Sequence, residues 1–301
     1  VRRQRYALYL HISKDIMNNL RKQSNKPDPR INPWRDDLAA DHLRGEVDAP
    51  KFVKGKDFDL IAPVTNIHKS PAHGAMATSQ LLFGERFRVY DIQGDWAWGQ
   101  CQFDDYVGYV LAEDLGKPQT PTHWVSALRA HIYDEPNIKS RPLMAVSYGA
   151  KLVVIGTEGK FYRVAGGSYI FRGHVASLDE TVGDYIASAR RFIGTPYLWG
   201  GRESLGIDCS GFVQVNLMQA GLACPRDTDM QQASLGEPVI GDPQKGDIIF
   251  WKGHVGLVSG DDRLLHANAT FMEVVEESLS GAIARIAETD GPVTAIKRLK
   301  H

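Results

Sequence analysis

From Asp59 to about Ser177, short runs rich in β-branched and aromatic residues alternate with Gly, Asp and Pro turns. Leu60–Val64, Arg86–Tyr90, Trp96–Gln100 and Tyr106–Val110 read as strands, and a spacing of roughly ten residues is that of a small barrel. The pattern then recurs. Leu82-Phe83-Gly84-Glu85, Gly94-Asp95-Trp96 and Val107-Gly108-Tyr109-Val110 are answered in the same order by Val146-Ser147-Tyr148-Gly149-Ala150, Gly159-Lys160-Phe161-Tyr162 and Phe171-Arg172-Gly173-His174-Val175. Two tandem barrels, residues 59–118 and 119–179, are the economical reading.

From Thr181 the apolar period lengthens. Ile186, Ala189 and Ile193 give Asp184–Ile193 a helical spacing that Gly194 and Pro196 end. Phe212, Val213, Val215, Leu217 and Met218 mark a second helix closed by Gly221. Strands are expected at Asp247–Trp251, Val255–Ser259, Arg263–Ala267, Glu273–Glu277 and Thr294–Arg298. Helices followed by an antiparallel sheet predict an α+β domain over residues 180–301. Residues 1–58 read as an N-terminal extension, partly helical or disordered. Three prolines between residues 26 and 36 favour extended chain, and Leu38–Leu43 adds a helical turn.

Composition narrows the function classes. A chain of 301 residues with net charge −1 has no basic domain for nucleic acid. No apolar run approaches the roughly 18 residues of a membrane span. Arg2, Arg3 and Arg5 precede an apolar run that His11 and Lys14 interrupt, so no signal peptide is read. Cys101, Cys209 and Cys224 form an odd, sparse set without a CxxC pair. They predict neither a disulfide framework nor a structural zinc site, and no cofactor is expected.

The candidate chemistry lies where loop turns to helix, at Ile207-Asp208-Cys209-Ser210-Gly211-Phe212. A thiol at a helix N-terminus meets free backbone N–H groups and the positive end of the dipole, which predicts a lowered pKa and a ready nucleophile. The Cys209 N–H is placed to receive a developing oxyanion, and Asp208 or Ser210 can cap the helix. With Gly260-Asp261-Asp262 as a three-residue hairpin loop, His254 and His266 share one sheet face as diagonal neighbours. His254 is then the general base and acid, and His266 the group that fixes its tautomer. Zinc held by Cys209, His254 and His266 is the metal alternative, but the spacing matches no short zinc signature, so no metal is expected.

The chain resembles the NlpC/P60 family of papain-like cysteine peptidases. The motifs are Pro196-Tyr197-Leu198-Trp199-Gly200-Gly201, Asp208-Cys209-Ser210-Gly211-Phe212, Pro225-Arg226-Asp227, Gly246-Asp247-Ile248-Ile249-Phe250, His254-Val255-Gly256 and His266-Ala267. The barrels resemble bacterial SH3-like domains, and the architecture is similar to that of γ-D-glutamyl-L-diamino acid endopeptidases. The resemblance implies two small all-β SH3-like barrels followed by an α+β papain-like hydrolase. It also implies a Cys209–His254–His266 triad and cleavage of peptidoglycan stem peptides with a free N-terminal L-Ala. Tyr197, Trp199, Asp208, Ser210 and Thr228 are implied on the substrate, and Glu85 and Tyr106 of the first barrel on its amine. A monomer working in the cytoplasm on recycled wall fragments is the expectation. The alternatives are a non-catalytic wall-peptide binder, or an amidase or acyltransferase on a related thiol-hydrolase fold.

Overall fold

The structure, a computed structural model, describes residues 26–300; the expectation for residues 1–25 lies outside them. Residues 26–53, expected within a partly helical or disordered extension, form a folded segment. Ala39–Ala40 pairs in parallel with Phe52–Val53, and a single 3-10 turn covers Asp41–Leu43. Ala39, Ala40, Leu43 and Val47 make a small core against Tyr90 of the first barrel. The proline-bearing stretch before it, expected to be extended, forms a turn in which Ile31 N and Asn32 N donate to Asp28 O, and this turn carries Arg30 to the catalytic domain.

The first barrel contains β1 (Lys56–Leu60), β2 (Val64–His68), β3 (Ala77–Leu82), β4 (Arg86–Gln93), β5 (Trp96–Cys101), β6 (Val107–Leu111) and β7 (Leu115–Gly116), in spatial order β3-β2-β6-β5-β4-β1-β7. The expected strand Leu60–Val64 is in fact a corner between β1 and β2, because Pro63 cannot donate to a ladder. A second β unit follows, with β8 (His123–Val125), β9 (Arg129–Tyr133), β10 (Pro142–Ser147), β11 (Lys151–Leu152), β12 (Val154–Glu158), β13 (Phe161–Val164), β14 (Tyr169–Phe171) and β15 (Val175–Ser177). The two units end alike, each with a strand, a 3-10 turn (Ala112–Asp114 and Arg172–His174) and a short closing strand.

The C-terminal domain is built around a buried helix. Helix α1 (Tyr185–Arg190) is capped by Asp184, which accepts from Ile186 N and Ala187 N. Helix α2 (Cys209–Gln219) is enclosed on every side, with all residues buried except Met218, and its buried Gln214 and Asn216 amides find partners in Asp104, Cys224 O and Phe212 O. A short α3 (Thr228–Ser234) precedes the sheet. Its strands are β16 (Glu237–Pro238), β17 (Ile248–Trp251), β18 (His254–Gly260), β19 (Arg263–Asn268), β20 (Glu273–Ser278) and β21 (Ala295–Arg298), ordered β16-β21-β17-β18-β19-β20. One sheet face packs on α2 through Phe250, Val255, Leu257 and Leu265. The other is covered by α4 (Leu279–Thr289) through Leu279, Ala282 and Ile286.

Two buried arginines join this domain to the first barrel. Arg202 donates to both oxygens of Glu85 at 3.1 and 3.2 Å and to Gln80 O at 2.7 Å, with its guanidinium 4.2 Å from the centre of the Phe103 ring. Arg226 reaches Ser79 Oγ of β3 at 3.0 Å. The second unit docks through rings packed edge to face. Trp124 meets Tyr148 edge-on, Tyr148 meets Phe192, and the Tyr148 hydroxyl lies 2.7 Å from Ser188 Oγ.

Candidate active site

Helix α2 begins at Cys209 because Asp208, in extended conformation, accepts from Gly211 N at 2.7 Å and caps it. Gly211 is required there, since a Cβ would come within 2.3 Å of Gly201 O. Asp208 is fully occupied: its carboxylate also accepts from Gly200 N at 2.9 Å and from both ends of the Arg226 guanidinium at 3.0 and 2.6 Å. Arg226 further donates to Ser210 Oγ at 2.8 Å. Burial works against the Arg226 charge, but Asp208 more than compensates and holds it protonated. The first turn of α2 is thus fixed by a buried ion pair whose other end is anchored in the barrel.

The two histidines face each other as the parity argument requires, by a different route. The hairpin loop is two residues, Asp261 and Asp262, because Gly260 pairs with Arg263. A bulge between Val258 and Gly260 supplies the extra residue and restores the same-face relation. His254 Nε2 lies 2.8 Å from His266 Nδ1, with ring centres 5.0 Å apart. Gly256 leaves this space open: a Cβ there would come within 3.1 Å of His266 Cβ. His266 is fully buried, and its Nε2 lies 2.8 Å from Glu277 Oε1. Glu277 in turn accepts from Arg285 Nη2.

The Cys209 thiol points at the strand that carries His254. It donates to Gly253 O at 4.0 Å, and its charged form is stabilised by Val255 N–H. These two residues flank His254 on either side. Among the described residues, no hydrogen bond joins the thiol to the imidazole itself. The expected lowering of the thiol pKa is corrected. Burial pushes Cys209 up to about 11, the Asp208 charge adds to it, and Val255 N–H, the Thr228 hydroxyl and Arg226 only partly offset them. Burial likewise lowers His254 to about 3, helped by His266 and Arg285. The resting pair is neutral thiol and neutral imidazole. Alkylation of Cys209 by iodoacetamide, followed by peptide mass mapping, should therefore rise about tenfold per pH unit between ~pH 7 and ~pH 10. A plateau below ~pH 8 would instead reveal a preformed ion pair.

Cys209, Tyr197, Trp199, Asp208, Ser210, Thr228 and Tyr106 all line one cleft of about 300 Å³. Trp199 stands on its rim, 63 % exposed. Glu85, expected on the substrate amine, is a correction. It lies outside the cleft lining, 3 % exposed, its carboxylate spent on Arg202 and Leu82 N. Asp227, by contrast, lines the cleft. Asp227 accepts from the Tyr106 hydroxyl at 3.3 Å and from Arg30 Nη1 at 2.9 Å. Arg30 also bonds Asp28 and Asp229. Asp227 stands inside the quoted Pro225-Arg226-Asp227 motif, which was its available signal; nothing in the sequence pointed to Arg30. Cys101 and Cys224 are buried and their thiols pushed up, chiefly by burial. No cluster of His, Cys, Asp and Glu fit to hold a metal occurs among the described residues.

Residues 67–115 match the family model for the bacterial dipeptidyl-peptidase Sh3 domain, and residues 194–287 that for the NlpC/P60 family. The γ-D-glutamyl-L-lysine dipeptidyl-peptidase of Bacillus subtilis (strain 168) is 30 % identical over 219 residues, which are 64 % of this chain and 72 % of that protein. The chain belongs to the NlpC/P60 family. Dipeptidyl-peptidase 6 of Lysinibacillus sphaericus is 26 % identical to this NlpC/P60 protein over 249 residues, 73 % of this chain and 90 % of that one. The crystal structure of an NlpC/P60 family protein from Bacillus cereus ATCC 10987 superposes with a TM-score of 0.69 at 21 % identity, covering 81 % of this chain and 99 % of that one. That likeness establishes a shared fold.

Proposed function

We propose that the protein is a cysteine peptidase that hydrolyses the γ-D-glutamyl–diamino acid bond of peptidoglycan stem peptides and releases L-Ala-γ-D-Glu from fragments with a free N-terminal L-Ala. The observation that carries this reading is one cleft that holds a thiol at a helix N-terminus and, with it, the carboxylates of Asp227 and Asp229, the thiol facing the strand that carries the paired His254 and His266. The sequence matches to γ-D-glutamyl-L-lysine dipeptidyl-peptidases support the substrate class. The repeated order of elements supports reading the second β unit as another SH3-like barrel, and a buried helix against an antiparallel sheet supports the papain-like description of the hydrolase.

In the mechanism, His254 takes the Cys209 proton as the sulfur attacks the γ-carbonyl of D-Glu. A neutral resting pair makes this transfer part of the chemical step rather than a condition met beforehand. The oxyanion is received by the Cys209 N–H at the mouth of α2, with the Tyr197 hydroxyl beside it. Burial, with Cys209 and Asp208 adding to it, raises the Tyr197 pKa, so this hydroxyl stays protonated and can donate. His254 then protonates the leaving amine, and water activated by the same ring hydrolyses the thioester. Ser210 and Thr228 offer hydroxyls to the substrate, and Trp199 covers the rim.

The amine end follows from charge. Asp28, Asp227 and Asp229 surround one guanidinium, so three negative charges meet one positive and leave an excess of two. An ammonium fits that excess, with Asp227 and the Tyr106 hydroxyl as its contacts, because the Asp208 carboxylate is already spent. L-Ala-γ-D-Glu-L-Lys should be cleaved, and its N-acetyl form about 10- to 100-fold more slowly in kcat/KM, the worth of one charge-assisted contact. Equal turnover of both sinks the amine-reading part; turnover of neither sinks the substrate class.

A further inference from the structure

The hydrogen-bond chain behind the cleft does not end at His266. Its Nε2 is approached by two groups of opposite character: the Glu277 carboxylate at 2.8 Å, which can only accept, and Asn268 Nδ2 at 3.1 Å, which can only donate. The Asn268 amide cannot turn to resolve the conflict, because Phe271 N donates to its Oδ1 at 2.9 Å. A neutral His266 therefore has two arrangements. With a proton on Nε2, it donates to Glu277, its bare Nδ1 accepts from His254 Nε2–H, and His254 Nδ1 is left without a proton. With a bare Nε2, it accepts from Asn268, its Nδ1–H donates to His254 Nε2, and the proton of His254 sits on Nδ1. The first arrangement makes His254 a base for the thiol. The second leaves it nothing with which to take the thiol's proton.

We infer that Glu277, held in place by Arg285, is a positioning residue that selects the first arrangement and so keeps His254 Nδ1 free to act as base. This deepens the peptidase reading and rests on it for its catalytic meaning. An acceptor-only, ionised partner at the shorter distance outcompetes a neutral amide donor. The hydrogen bond from His266 is the largest influence lowering the Glu277 pKa, and the Arg285 charge adds to it, so the carboxylate stays ionised at neutral pH. Arg285 is itself braced by Thr270 Oγ1 at 3.1 Å and lies 5.3 Å from the centre of the Phe271 ring. The register explains how Glu277 arrives. His266 pairs with Val275 across β19 and β20, so Glu277, two residues on, shares the His266 face. During attack the thiol proton moves to His254 Nδ1. The resulting imidazolium donates from Nε2 to His266, whose own Nε2–H still points to the carboxylate. The proton count is closed and no group is left with two donors facing each other.

The tautomers are read directly by 15N NMR of the imidazoles in the full chain, at a pH above their titration, since protonated and bare ring nitrogens differ widely in shift. Wild-type protein should show Nε2–H on both His254 and His266. Glu277→Ala should move both protons to Nδ1 and lower kcat by about 100-fold or more with little change in KM. Asn268→Asp in the Glu277→Ala background puts an acceptor where the amide donor stood. It should return both protons to Nε2 and recover at least about tenfold in kcat, which a merely structural role for Glu277 would not allow. Should Glu277→Ala fail to fold, the wild-type tautomers still decide: Nδ1–H on His266 overturns the inference. So does a folded Glu277→Ala with unchanged tautomers, or a double variant that recovers nothing. Wild-type protein with Nε2–H on both rings but no peptide turnover upholds the inference and sinks the peptidase reading alone.

Discussion

Cys209→Ala is expected to lower kcat on L-Ala-γ-D-Glu-L-Lys by roughly four to six orders of magnitude while the protein stays folded. The side chain is small, and its contact to Gly253 O is long, at 4.0 Å, so little packing is lost. What disappears is the covalent route. Groups that act as a unit are strongly non-additive. Cys209→Ala combined with His254→Ala should therefore cost no more than Cys209→Ala alone. Steady-state rates of the two variants, with a thermal melt of each, check both halves. An alanine variant within tenfold of wild type would mean that another group performs the chemistry.

Arg226→Met is expected to be the most damaging single change to stability. It leaves the Asp208 carboxylate, 6 % exposed, without its cation. Breaking a buried pair in this way costs about 3–5 kcal/mol, or a fall in Tm on the order of 10 °C for a domain of this size. Activity should fall with it, because Asp208 caps the helix that presents Cys209. Arg226→Met with Asp208→Asn should regain part of the loss, since the stranded charge is gone. Calorimetry of the three variants tests this. A shift of under ~2 °C for the single variant would mean that water reaches Asp208.

The nucleophile and the histidine pair were legible because each depends on local spacing. A cap and five apolar positions mark α2, and parity along a hairpin sets the facing of His254 and His266. Even the wrong loop length did not spoil the result, because a bulge restores the parity that a two-residue turn removes. The thiol pKa was misjudged for the complementary reason. A helix N-terminus is visible in sequence, whereas the burial that outweighs it is not. Glu85 failed similarly: a Phe-Gly-Glu turn reads the same whether its carboxylate meets water or an arginine 117 residues away. Helix α4 is absent from the sequence expectations although Ser278 caps it and Leu279, Ala282, Ile283 and Ile286 keep a helical spacing. Arg30, held by carboxylates up to 199 residues away, had no local signature at all.

The seam formed by Arg202 and Arg226 bears on how this architecture can be re-engineered. Each guanidinium is about 1 % exposed and finds partners in β3 or the turn after it. A chimera that grafts residues 180–300 onto a foreign carrier would strand the Arg202 cation without Glu85 and take Ser79 from Arg226, which keeps Asp208. The transplantable cartridge has to bring Ser79, Gln80 and Glu85 along.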